Sequence, residues 1–303
     1  MTAEISETGI GKPARRKEDF RFITGSGHYT DDINRPHQTH ASFLRSPHAH
    51  AKIRSIDTSE ADKAAGVLAI FTGNDIARDE LGGLICGWTV TSKDGEPMKV
   101  GPHPVLALDT VRYVGDHVAM VVAETREQAE AAAELIDVDY DALPATVTLA
   151  TCQNADAPQV HPEAPRNTCF EWELGNKAET EAAFAKADRI VSLDLENNRL
   201  IPNAMEPRAA IGEFDKGTGD YTLWTTSQNP HVARLVLSAF VGVAPEHKLR
   251  VIAPMSAAVS ARRFLSMPRK PPAHGPRRRS DARSNGPATA PKPSSPTRMA
   301  ATT

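Results

Sequence analysis

Four histidines, His37, His40, His48 and His50, fall close together in the sequence. Imidazole is the commonest metal ligand, and on a strand His48 and His50 would share one face. A zinc site needs at least three protein ligands, and no third ligand accompanies that pair. Solvated or hydrogen-bonded histidines are therefore expected. Asp137, Asp139 and Asp141 alternate, which suits the wet face of an edge strand. A calcium loop would need its turn glycine and terminal glutamate, and both are missing. GSGHYT, from Gly25, has two glycines but neither the third glycine nor the following helix of a dinucleotide loop, so it reads as a turn. Cys86, Cys152 and Cys169 are widely spaced without a CxxC pair. They support no disulfide framework, zinc site or iron–sulfur site and read as free buried thiols. Residue spacing alone assigns no catalytic residue, because a Ser–His–Asp arrangement assembles in space.

The elements that would position any site are written more clearly. The first 18 residues are polar and read as an extended arm. HASFLRS (40–46) and the short apolar run VLAIF (67–71) predict strands. VRYVGDHVAMVVA (111–123) is the strongest β signal, with Gly115 and Asp116 marking a turn or bulge inside it. Thr125 and Gln128 form a capping box, after which Ala129, Ala132, Leu135 and Ile136 predict one buried helical face. IDVDY returns to a strand, completing a strand–helix–strand unit. A Pro- and Ala-containing linker follows over 151–168. Asn176 and Glu179 predict a helix start, and RIVSLDLEN alternates as a strand would, with Val191, Leu193 and Leu195 on one face. AAIGEFD and DYTLWTTS, separated by KGTG, predict a hairpin. Asn229 with Pro230 predicts a helix start, and KLRVIAP a final strand.

Charge divides the chain at the same place as pattern. Residues 1–254 carry 25 Lys+Arg against 37 Asp+Glu, a net of -12. Residues 255–303 carry 10 Lys+Arg and one acid, Asp281, a net of +9. The acidic body argues against a nucleic-acid surface there. Arg277, Arg278 and Arg279 lie among Pro and Ser, a composition compatible with a phosphate-binding arm. No apolar run approaches the ~18 residues that span a bilayer, and the N-terminal residues lack the apolar core of a secretory signal. A cytoplasmic protein without a membrane partner is expected.

Two long collinear blocks resemble the large, molybdenum-binding subunit of the molybdenum hydroxylases, the xanthine dehydrogenase, aldehyde oxidase and aerobic carbon monoxide dehydrogenase group. The first is GSGHYTDDINRPHQTHASFLRSPHAHAKIRSID with AAGVLAIFTGNDI and HPVLALDTVRYVGDHVAMVVAETREQAEAAAELIDVDYDALPA. It resembles the α/β hammerhead domain that opens those subunits. The second is NNRLIPNAMEPRAAIGEFD with YTLWTTSQNPHVARLVLSAFVGV and KLRVIAP. It resembles the start of the molybdopterin-binding domain. The implied fold is α+β: an N-terminal arm (1–18), a hammerhead domain (19–150), a linker (151–168), a truncated start of the molybdopterin-binding domain (169–254) and a disordered basic tail (255–303). RSPHAHA and VRYVG look nearest to the carbon monoxide dehydrogenase-like branch.

The resemblance implies an oxidoreductase that uses a molybdopterin-type molybdenum cofactor and works with FAD-binding and 2Fe-2S subunits. It places the base glutamate, the active-site loop and most pterin contacts beyond Pro254, so this chain is expected to be inactive and cofactor-free alone. Gln228, in TTSQNPH, matches a family glutamine that approaches a molybdenum ligand. It is the one cofactor-binding candidate. Glu206 and Arg208, in MEPRAA, match a buried structural pair near the site.

Where the family continues with a loop of the form DVGGGFGSK, Pro254 is followed by MSAAVSARR. One coding of that loop, GAT GTC GGC GGC GGT TTC GGC TCG AAG, loses its first base to become ATG TCG GCG GCG GTT TCG GCT CGA AG. That spells Met255 to Arg262, so the tail is expected to be a frameshift product. Two other readings stay open. One is a genuine split subunit complemented by a second chain. The other is a non-enzymatic module with a nucleic-acid-binding tail, which the frameshift disfavours.

Overall fold

The computed structural model describes residues 16–195, 206–254 and, as backbone, 283–288. In chain order the helices and strands are α1 (Asp19–Ile23), β1 (Gln38–Arg45), β2 (Ala51–Asp57), α2 (Ser59–Lys63), β3 (Val67–Thr72), α3 (Gly73–Arg78), β4 (Thr110–Val111), β5 (His117–Ala123), α4 (Arg126–Glu134) and β6 (Asp137–Ala142). They continue with α5 (Lys177–Ala185), β7 (Arg208–Asp215), β8 (Asp220–Thr225), α6 (Pro230–Leu235), β9 (Leu249–Ile252) and β10 (Arg283–Ala288).

The strands form a seven-stranded sheet, ordered β3-β5-β1-β10-β7-β8-β9, and a three-stranded sheet, ordered β4-β2-β6. The predicted 111–123 strand is split between the two. Gly115 adopts a φ of +94°, which glycine tolerates and other residues resist, and the chain turns there from β4 into β5. Val118 of β5 packs with Ala51, Ala107 and Val111, while Ala119 and Val121 pack with Ala132, Ala133 and Ile136 behind α4. The capping box of α4 is formed as expected. Gln128 N donates to Thr125 Oγ1 at 3.2 Å, and Thr125 N donates to Gln128 Oε1 at 3.0 Å. Leu135 does not share the buried face: the helix ends at Glu134, and Ala133 is buried in its place.

The second half builds around the β7–β8 hairpin. Gly217 N donates to Asp215 Oδ1 at 2.7 Å, and Gly219 takes a φ of +73° to close the turn. Tyr221, Leu223, Val236, Leu237, Val241, Val243 and Leu249 form its core, joined by Leu81, Leu84 and Val105 from the first half. After α6 the chain widens into a π-helical turn over Val236–Phe240, and Gly242 ends it with a φ of +78°. Gly82 N donates to Val241 O at 2.9 Å, stitching the two halves together. The 151–168 segment is also stitched down: Asn167 Nδ2 donates to Cys152 O at 2.9 Å and to Pro158 O at 3.0 Å.

The expectation for RIVSLDL needs correction. RIVSLDL forms no strand, and Val191, Leu193 and Leu195 are exposed. An alternating sequence states a preference for a sheet, and this segment pairs with no strand of either sheet. The end of that segment, 196–205, lies outside the described residues. Arg283–Ala288 pairs in parallel with β1 and antiparallel with β7, because those two strands leave facing edges one strand-width apart. The arm at 1–15 and the remainder of 255–303 lie outside the described residues.

Candidate functional site

Gln228 stands on the loop between β8 and α6. The loop is anchored by three buried hydroxyl residues, Thr225, Thr226 and Ser227. Thr226 N donates to Ala209 O at 3.1 Å and Thr226 Oγ1 accepts from Ala209 N at 3.2 Å. Ser227 Oγ accepts from Asn229 N at 3.1 Å. Gln228 itself is exposed, presented by a fixed backbone rather than packed into the core. The Thr226–Ala209 pair ties the start of this loop to β7, which begins at Arg208.

Arg208 extends this region toward a polar cluster at the start of β5 that sequence reasoning missed. Asp116 accepts from Arg112 N at 3.1 Å through Oδ2 and from His117 N at 3.0 Å through Oδ1. Burial pushes the Asp116 carboxyl up. Burial, helped by Asp116, pushes the Tyr113 hydroxyl up to about 12. Burial and then the positive charges of Arg45, Arg208 and His103 push His117 down to about 4. His117 therefore stands neutral at pH 7, with its ring 4.9 Å from that of Phe43. Arg45 Nη1 donates to Gly115 O at 3.1 Å and closes the turn over the cluster. The available signal was an acid and a histidine set inside an apolar β sequence, RYVGDHVAMVV.

The other candidates stay apart. His48 and His50 lie in the bend between β1 and β2 rather than on a strand: the His48 ring packs 4.9 Å from Tyr140, and His50 Nδ1 lies 3.0 Å from Pro144 O. Asp137, Asp139 and Asp141 lie on β6, an edge strand, where Asp141 pairs with Arg54 at 3.1 Å. The three cysteines are free, but partly exposed rather than buried. Among the described residues no group of three or more His, Cys, Asp or Glu could hold a metal ion. A cofactor that brings its own metal ligands would find two exposed amides, Gln228 and Asn229, and the short α6, a partial cradle at most. No catalytic step follows from these residues.

Residues 24–144 match the family model for the aldehyde oxidase and xanthine dehydrogenase a/b hammerhead domain, and residues 160–256 match that for the molybdopterin cofactor-binding domain. The chain belongs to the molybdenum hydroxylase large-subunit family. It is 38% identical to the carbon monoxide dehydrogenase large chain of Afipia carboxidovorans, over 81% of this chain and 30% of that one. It is 34% identical to the nicotine 6-hydroxylase large subunit of Paenarthrobacter nicotinovorans, over 82% of this chain and 30% of the relative. A crystal structure of the Cu,Mo-CO dehydrogenase superposes with a TM-score of 0.68 at 38% identity, covering 81% of this chain and 31% of that one. Quinoline 2-oxidoreductase from Pseudomonas putida 86 gives a TM-score of 0.67 at 32% identity, covering 80% and 30%. This molybdenum hydroxylase chain therefore spans about 30% of the length of these relatives. No helix among its described residues is long and apolar enough to cross a membrane.

Proposed function

We propose that this chain is the N-terminal part of a cytoplasmic molybdenum hydroxylase large subunit and is inactive alone. The observation that carries the reading is the run of two family matches across 24–256 against relatives about three times longer. In an intact subunit the molybdenum cofactor would supply oxygen insertion from water into a C–H bond, or oxidation of carbon monoxide. The protein supplies binding and orientation. Gln228 is the residue of this chain that would hydrogen-bond toward that cofactor, and FAD-binding and 2Fe-2S subunits would carry electrons away. The change of composition at Met255, and the codons that reproduce Met255 to Arg262, support a frameshift as the origin of the tail. The domain limits 19–150 and 169–254 belong to the same proposal.

The test is metal analysis of the purified chain, alone and after co-expression with a polypeptide carrying the remaining family-like length. The chain alone should hold molybdenum far below one per protein and oxidise neither carbon monoxide nor an aldehyde. Stoichiometric molybdenum in the chain alone would contradict the reading. Recovery of molybdenum only on co-expression would favour a split subunit.

A further inference from the structure

Every residue from 170 to 195 is exposed. The last tie of this stretch to the body is at Glu171, whose N donates to Ser92 Oγ at 3.1 Å and whose O accepts from Lys93 N at 2.8 Å. Beyond it, among the described residues, the hydrogen bonds and ion pairs of 172–195 close on the segment itself. Asn176 Oδ1 accepts from Glu179 N, Lys177 pairs with Glu181, and Lys186 N donates to Ala183 O. α5 buries none of its side chains, and no residue of 172–195 belongs to a core cluster. After Ala187 the chain enters no helix or strand through Leu195, although Val191, Leu193 and Leu195 are apolar. The segment is an arm that stands off the body and adds nothing to its core.

A protease takes its substrate as an extended segment, so a bond inside a helix or sheet is cut only after that element opens, whereas an exposed loop is cut as it stands. Lys186 is the C-cap of α5, where the helix gives way to the irregular stretch, and Ala187 rather than proline follows it. The other lysines of 19–254 are held in place. Lys52 lies on β2, Lys63 in α2 and Lys177 at the first position of α5. Lys93 N and Lys99 N donate to Glu171 O and Cys169 O. Lys216 lies in the turn that Asp215 closes, and Lys248 Nζ donates to Thr218 O at 2.9 Å. We propose that the Lys186–Ala187 bond is a proteolytic modification site for a protease that cuts after a basic residue, and that the cut chain persists as a two-fragment complex. Hydrolysis adds one water across the C–N bond and leaves a carboxylate on Lys186 and an amine on Ala187. Both new termini form on the exposed arm, so neither charge is buried. The contacts that join the fragments lie elsewhere. Gly82 N donates to Val241 O at 2.9 Å, and Leu81, Leu84 and Val105 pack against the core of the second half. Arg35 pairs with Glu213 at 3.1 Å, and its guanidinium lies 5.1 Å from the centroid of the Trp224 ring.

The test treats the native full-length chain with a lysine-specific endoprotease and follows the products by intact mass. Within 19–254 the cut after Lys186 should come first, at least ten-fold faster (~10-fold, 1.4 kcal/mol of opening free energy) than the cut after any other lysine. A first cut after any other lysine of that range, Lys177 included, would overturn the site, as would cuts at comparable rates. Lys186→Gln should slow the first cut within 19–254 at least ten-fold, and an unchanged rate would count equally against it. The cut chain should elute from gel filtration as a single peak at the position of the uncut chain, and its fragments should part only in urea. Fragments that separate without urea would overturn the two-fragment complex. These outcomes are independent of molybdenum content, so failure here is separable from failure of the functional reading.

Discussion

His117 shows how one residue can record its surroundings in a measurable way. Its folded pKa of about 4 lies below the ordinary 6.5, because burial and nearby positive charge disfavour the imidazolium. Between those values the unfolded chain binds the extra proton, so stability contributed by neutral His117 is complete above pH 6.5 and is lost as pH falls toward 4. The full shift corresponds to about 3 kcal/mol. Asp116 works the other way, since its raised pKa makes its protonated form favourable to the fold as pH falls. His117→Asn should therefore flatten the fall in urea midpoint between pH 7 and pH 4.5. An unchanged slope would show that His117 is not the titrating group. Gln228 is exposed, so Gln228→Ala should leave the melting temperature within about 2 °C, a change of under 0.5 kcal/mol. A large loss would make it a structural cap rather than a residue presented for a ligand.

At the scale of elements, local signals were legible and long-range ones were not. The Thr125–Gln128 box, the Asn176 cap, whose Oδ1 accepts from Glu179 N at 3.1 Å, and the β7–β8 turn were all readable, because each is closed by residues within a few positions. Thr125→Ala should cost about 1 kcal/mol, read as a lower urea midpoint without a change in slope. RIVSLDL misled because alternation states a preference for a sheet and does not supply the neighbouring edge. β10 was invisible for the opposite reason: RSNGPA has no strand preference, and only the gap between β1 and β7 gives it one. The joint at Gly82 was equally hidden. A Cβ there would stand 2.1 Å from the Phe240 carbonyl oxygen, a backbone atom that cannot swing aside. Gly82→Ala should destabilise the chain by roughly 1–3 kcal/mol. It should also speed hydrogen exchange in the 236–243 turn, and a neutral effect would show that the two halves do not depend on this contact.

For the whole molecule, the site was legible through resemblance rather than through spacing. Gln228, Glu206 and Arg208 carry no chemical signature of their own. The polar cluster around Asp116 escaped notice because burial, which gives it its properties, cannot be read from a turn motif. The acidic body and basic tail follow the same division as the family match. Residues up to about 256 align with relatives, and the positive charge lies beyond. The proposed single-base shift near codon 255 would place the boundary there. The direct test is to resequence the genomic DNA across codons 245 to 310 and translate all three forward frames. Another frame should spell a glycine-rich loop after Pro254 and run on into family-like sequence. If no frame continues the family, the frameshift is wrong, and the basic tail is a segment with a role of its own.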